Sequence, residues 1–167
     1  MYREIQFTDL SKDLLEQLQK GGFLTVKSGD EVNTMTIAWG SLGFMWTKPV
    51  FIAMVRYSRY TYNLIESSKN FTVSFPLNGQ LQKELGICGR KSGRDTDKIK
   101  ECDLALREGS IEDTVVIDEC DLHLECTTVY KQGMDESALA PEIRDKYYAD
   151  GDYHVLYYGE IVKIYTK

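Results

Sequence analysis

At 167 residues with a formal net charge of −6, the chain is long enough for one well-filled core and too acidic for a partner gripped through its phosphate backbone. Its composition, 43% hydrophobic and 28% charged, is that of a globular chain, and no apolar run reaches the ~20 residues that a membrane-spanning helix needs. We therefore expect one domain over 1–167, with neither nucleic acid nor a membrane as partner.

The opening "MYREIQFTDLSKDLL" lacks the basic and apolar regions of a secretory signal, so the cytoplasm is the expected compartment. In a reducing compartment Cys88, Cys102, Cys120 and Cys126 read as thiols. No C-x-x-C pair occurs and only His123 and His154 could add imidazoles, so no metal site is expected.

In chain order, "TDLSKDLLEQLQKGG" reads as a first helix, with Thr8, Asp9 or Ser11 as its cap and Gly21-Gly22 as its stop. "FLTVKSGDEVNTMTIAW" reads as two strands around a Ser-Gly-Asp turn, and "PVFIAMVRY" as a near-continuous apolar strand opened by Pro49. "RYTYNLIESSKN" is a short helix, "FTVSF" an alternating strand, and "GQLQKELGIC" another short helix. A polar loop follows, with a helical turn expected to be capped by Asp95.

"TVVIDECDLHLECTTVYK" and "DYHVLYYGEIVKIYT" are both long strand patterns, rich in β-branched and aromatic residues. Between them "QGMDESALAPEIRDKYYADG" is a polar, partly helical excursion, long enough to cover a site. Strands outnumber helices without regular βαβ alternation, and no G-x-G-x-x-G run is present. These patterns predict a mainly β, mostly antiparallel barrel with a few short peripheral helices.

Two constellations carry chemistry. "VRYSRYTYNL" sits where an apolar strand gives way to a helix, inside a run from Val32 to Ile65 that holds no Asp or Glu. A phosphate against Ser58–Thr61 would meet unpaired backbone N–H groups, two hydroxyls and the guanidiniums of Arg56 and Arg59. The plainer alternative is that Ser58 or Thr61 merely caps the helix while both arginines lie in solvent.

The second is "NTMTIAWG", whose alternation puts Asn33, Met35, Ile37 and Trp39 on one face and Thr34, Thr36 and Ala38 on the other. A flat heteroaromatic ring with a hydrogen-bonding edge suits such a strand. The alternative is a barrel strand with its threonines facing water.

Taken together and in this order, "NTMTIAWG…PVFIAMVRYSRYTYNLIESSKNFTVSFP", "CGRKSGRDTDKIKECDL", "LECTTVYKQ" and "DYHVLYYGEIV" resemble the flavin reductase-like family, the FMN-binding split barrels that include flavoredoxin. The resemblance implies a six-stranded, Greek-key split β-barrel, a homodimer with noncovalent FMN near the interface, and NAD(P)H or a redox partner protein as electron donor. It implies an oxidoreductase in which the flavin carries the hydride or electrons. The alternatives are a flavoredoxin-like carrier with no substrate site of its own and a structural barrel that has lost its flavin.

By the same resemblance, Arg56, Ser58, Arg59, Tyr60 and Thr61 form the phosphate-binding segment. Asn33, Thr34, Met35 and Thr36, with Ala38 and Trp39, form the ring-contacting strand. Lys91 and Ser92 approach the flavin from the "SGRD-x-DK" loop, and His154 points toward it; its alternative is an imidazole satisfied within the barrel. Two departures stand out: Tyr57, where the family often has proline, and the excursion before the last strand.

Overall fold

The structure, a computed structural model, describes residues 2–167. Its first half contains β1 (Arg3–Glu4), α1 (Ser11–Leu18), β2 (Gly22–Ser28), β3 (Glu31–Ile37), β4 (Gly40–Met45), β5 (Lys48–Arg56), α2 (Tyr60–Ser67) and β6 (Asn70–Phe75). Its second half contains α3 (Gln82–Arg90), α4 (Lys98–Glu101), β7 (Leu106–Glu108), β8 (Val115–Ile117), β9 (Leu122–Gly133), α5 (Pro141–Tyr147) and β10 (His154–Thr166), with a 3-10 turn at Glu136–Ala138.

Every described strand pairing is antiparallel, and the main sheet of eight strands runs β3-β2-β6-β9-β10-β5-β4, with β1 beside β10. β3 and β4 are the two ends of this path, yet only Ala38 and Trp39 lie between them in the chain. At about 4.8 Å per strand, a flat sheet would hold these edges roughly 29 Å apart. Two linking residues reach only about 11 Å. The sheet must therefore roll until its edges nearly meet, which makes a barrel split between β3 and β4.

Side chains of alternating strand positions fill the barrel: Leu24 and Val26 of β2, Met35 and Ile37 of β3, Phe71, Val73 and Phe75 of β6, and Leu122, Leu124 and Cys126 of β9. α1 adds Leu14 and Leu18 to this core, and α2 adds Leu64 and Ile65. On the outer face of β2, Phe23 packs with Leu85 and Cys88 of α3, and with Leu104, Ile117 and Cys120. That second cluster fixes α3 against the barrel wall.

The longest strands bend at irregularities in register, between Tyr158 and Gly159 and between Ile161 and Lys163. Gly159 is required at the first, because a Cβ there would lie 2.8 Å from the Cβ of Cys126 and would also strike the Phe71 ring. Beneath the β7–β8 ribbon, Glu125 is buried yet well paired, accepting from the Ser110 and Ile111 amides (2.8 Å each) and the Tyr165 hydroxyl (2.7 Å). Burial alone would raise its pKa, but these bonds together hold it below the usual carboxylate value.

Some local expectations are corrected. Neither Thr8, Asp9 nor Ser11 caps α1: Leu10 takes that position without a side-chain bond, and the Asp9 carboxylate instead accepts from the Gln6 amide. Asp97, not Asp95, caps α4, accepting from the Lys100 amide at 3.1 Å. The pattern over "TVVIDECDLHLECTTVYK" breaks into β8 and β9, because the Asp118–Asp121 turn sends the chain from the outer ribbon back to the barrel. All four cysteines are free thiols. Among the described residues no helix is long and apolar enough to cross a membrane, and no cluster of His, Cys, Asp or Glu could hold a metal ion.

Both histidines are buried, and burial lowers each pKa to about 4, with the charge of Arg107 adding to this at His123 and that of Arg56 at His154. The unfolded chain takes up these protons near pH 6.5 and the folded chain does not. Stability is thus fully present above about pH 6.5 and is lost as pH falls toward about 4, by up to ~1.4 kcal/mol per pH unit for each imidazole. Urea denaturation from pH 7.5 to 4.5 should show this slope, and His123→Gln should remove about half of it.

Candidate functional site

The split leaves β3 unpaired on its outer side, so its backbone groups face a cavity of about 170 Å³. Met35, Thr36, Ile37, Ala38 and Trp39 line one wall, and Met54, Arg56, Arg59 and His154 the other. β5 and β10 are paired with His154 opposite Arg56, which brings chain positions almost a hundred residues apart to one rim. The lining is mixed: Met35, Ile37, Ala38, Trp39 and Met54 are apolar, and Thr36, Arg56, Arg59 and His154 are polar or cationic.

A second cleft of about 190 Å³ opens beside it, and Arg59 lines both. Ser58, Tyr60, Arg90, Lys91, Ser92, Gly93 and Lys98 complete it. Four of its lining residues are cationic and none is acidic, in a chain whose net charge is −6. Arg59 donates to the carbonyls of Gly89 (2.6 Å) and Cys88 (3.0 Å), the last turn of α3, where the helix dipole favours a cation. Buried Lys98 reaches the same Cys88 carbonyl at 3.4 Å.

Burial lowers the pKa of Arg59. Burial, then the charge of Arg59, lowers that of Lys98 to about 8. Two cations held this close and this dry are stabilised by an anion between them. The loop bearing Lys91 to Asp97 is fixed by Arg94, which donates to the Ser58 carbonyl at 2.8 Å and stacks over the Tyr60 ring. At Gly93 a Cβ would strike both Asn33 and Tyr60.

Of the residues singled out from sequence, Met35, Thr36, Ala38, Trp39, Arg56, Arg59 and His154 meet in the first cleft. Ser58, Tyr60, Lys91 and Ser92 meet in the second. The side chains of Asn33, Thr34 and Thr61 line neither: Asn33 donates to Thr61 at 2.7 Å, tying β3 to α2, and Thr34 pairs with Thr25 at 3.0 Å. Lys91 is paired with Glu101. Met54 and Arg90 carry no signal of their own in the sequence, since Met54 looks like any core residue and Arg90 lies in a stretch dense with charge, and Lys98 belongs to the "SGRD-x-DK" motif without a contact assigned to it. The acid-free run does contain Met54.

The two departures from the family pattern prove to be one feature. The Tyr57 amide, which proline would lack, donates to the Tyr153 carbonyl at 3.3 Å. The Ser58 amide (3.1 Å) and hydroxyl (2.5 Å) both donate to the Asp152 carboxylate. Arg56 donates to the carbonyls of Asp152 and Tyr147, at 2.8 Å each. The excursion is therefore latched onto residues 56–58, and Asp152 already satisfies the donors that precede α2.

The chain belongs to the flavin reductase like domain family, whose model matches residues 21–167. A protein of Archaeoglobus fulgidus described only as uncharacterized is 28% identical over 142 residues, 85% of this chain and 70% of its own. Among solved structures, the flavoredoxin of Methanosarcina acetivorans aligns with a TM-score of 0.69 and 24% identity, covering 88% of this chain and 68% of that one. An FMN-binding domain of a flavin reductases-like enzyme from Shewanella baltica gives 0.72 and 18%, covering 99% and 77%. The NADH:FAD oxidoreductase SgcE6 of Streptomyces globisporus gives 0.66 and 15%, covering 99% and 87%. At these identities the structural likenesses speak for the fold, a split barrel.

Asp152→Ala should loosen the latch alone. Hydrogen exchange is expected to speed up across residues 134–153, while amides of β6, β9 and β10 keep their protection; unchanged exchange in the excursion would show that Asp152 does not hold it.

Proposed function

We propose that the chain binds FMN noncovalently and acts as a flavin reductase-type oxidoreductase, with the flavin carrying the hydride or electrons. The observation that carries this reading is the meeting of two clefts at Arg59, one with apolar Met35, Ile37, Trp39 and Met54 lying along a free strand edge, the other with four cationic residues and no acid. A flat ring ending in a phosphate fits that pair of environments.

In this reading the ring lies along β3 between Met35, Met54 and Trp39, and the unpaired backbone groups of the strand meet its polar edge. The phosphate lies against Arg59, Lys98, Arg90 and Lys91, with the Ser92 hydroxyl as a neutral donor. Arg56, occupied by the excursion, contributes charge rather than a direct grip. Bound FMN supplies the redox chemistry; the protein holds the ring, limits water and sets the surrounding charge. Arg56 and Arg59, both lining the ring cleft, favour negative charge developing on a ligand there.

NADH, NADPH or a redox partner protein is the proposed electron donor, in the cytoplasm. The exposed Phe44 and Trp46, with Tyr130 edge-on to Trp46 at 6.3 Å, form an apolar patch that supports a homodimer, and the flavin near its interface is part of the same proposal. A second reading, an electron carrier without a small-molecule site, is favoured by Tyr147, which stands edge-on to Trp39 at 5.1 Å and leaves less room for a second substrate. Anaerobic bleaching by NADH or NADPH at catalytic rates supports the first; reduction only by a ferredoxin-like protein supports the second. A colourless protein that does not retain added FMN would sink both.

Each charge-assisted bond to phosphate is worth ~1.5–3 kcal/mol, so Arg59→Ala is expected to weaken FMN binding by roughly ten- to a hundredfold. Arg56→Ala should cost less. Free Lys98 loses its proton above about pH 8, so affinity should fall from pH 7 to 9 by up to about tenfold per unit past that point. Lys98→Met should bind FMN weakly at both pH values and lose this dependence. Fluorescence titration of FMN measures all three, and equal affinities in Arg59→Ala and wild type would place the phosphate elsewhere.

A further inference from the structure

His154 opens β10 on the rim of the ring cleft, buried and tilted against Trp39 with ring centroids 5.6 Å apart. Its Nδ1 lies 2.7 Å from the hydroxyl of Tyr148, which comes from the excursion. Tyr148 is itself held firmly: it stacks on Tyr153 at 5.1 Å, and the Arg56 guanidinium lies 5.0 Å from its ring.

Among the described residues the Tyr148 hydroxyl has no other hydrogen-bond partner. Buried O–H groups donate, and Nδ1 is the acceptor within reach. An uncharged imidazole that accepts at Nδ1 carries its proton on Nε2, and that nitrogen has no protein partner among the described residues.

We propose that Tyr148 is a positioning residue that locks His154 in the Nε2–H tautomer, making it an uncharged hydrogen-bond donor in the ring cleft for a carbonyl oxygen of a heteroaromatic ligand. The choice of acceptor rests on the flavin reading of the cleft, whereas the tautomer does not. The charged and titratable groups around the imidazole are Arg56 from β5, Arg59 from the far side of the cleft, and Tyr148 and Asp152 from the excursion. Burial and Arg56 oppose a charged imidazole and Asp152 favours it, with the net pKa about 4, so the donor is unchanged across neutral pH.

With only two histidines in the chain, long-range ¹H–¹⁵N correlation spectra of histidine-labelled protein test this directly, and His154→Gln assigns the signals. Wild-type His154 should show a protonated Nε2 and an unprotonated Nδ1 throughout pH 5–8. In Tyr148→Phe, which keeps the ring packing, the two nitrogens should move toward averaged shifts as both neutral tautomers become populated, while His123 serves as the internal control. A protonated Nδ1 in wild type, or a Tyr148→Phe spectrum identical to wild type, overturns the lock. FMN added to saturation should shift the Nε2–H proton; an unmoved signal overturns the carbonyl acceptor. Failure to bind FMN at all would remove the flavin reading and that acceptor together, and the tautomer result would still stand or fall by itself.

Discussion

Ala38 and Trp39 form a two-residue bridge between opposite edges of one sheet, and the rest of the molecule is arranged around that short link. Because the link cannot span a flat sheet, the sheet rolls, and because the edges meet without pairing, a seam remains. The free edge of β3 supplies hydrogen-bonding groups without any side chain, while β5 and β10 bring Arg56 and His154 to the facing rim. The cleft lined by Met35–Trp39 and the split of the barrel are the same feature.

Charge is distributed to match. The chain is acidic overall, yet the segment from Val32 to Ile65 that builds the seam contains no carboxylate. Arg59 and Lys98 would repel each other across their cleft, and each is held by α3 carbonyls at the end of the helix. α3 is placed there by the second apolar cluster, through Leu85 and Cys88 against Phe23 and Ile117. Packing on the outer wall of the barrel thus fixes where positive charge accumulates on its rim, and an anion bound there would relieve the cost of holding it.

The excursion before β10 modifies this plan without replacing it. Asp152 fills the donors of Ser58, and the Tyr57 amide completes the latch. The donors left free for an anion are therefore not those at the start of α2 but those of the cationic cleft around Arg59 and the Lys91–Lys98 loop. The excursion also sets Tyr147 and Tyr148 beside Trp39 and His154, and so becomes part of the ring cleft.

The sequence by itself determined most of the strands and helices, since alternation, helical spacing and turn residues such as Ser28-Gly29-Asp30 are local signals. It also marked the acid-free segment and most of the residues that line the two clefts. Only the tertiary structure decided what each of those residues does. Asn33 and Thr61 satisfy each other, Arg56 is taken up by carbonyls nearly a hundred residues away, and Lys98 is drawn beside Arg59. Hydrogen-bond partners and burial depend on which distant segments are brought together when the sheet rolls, and local spacing carries no record of those encounters.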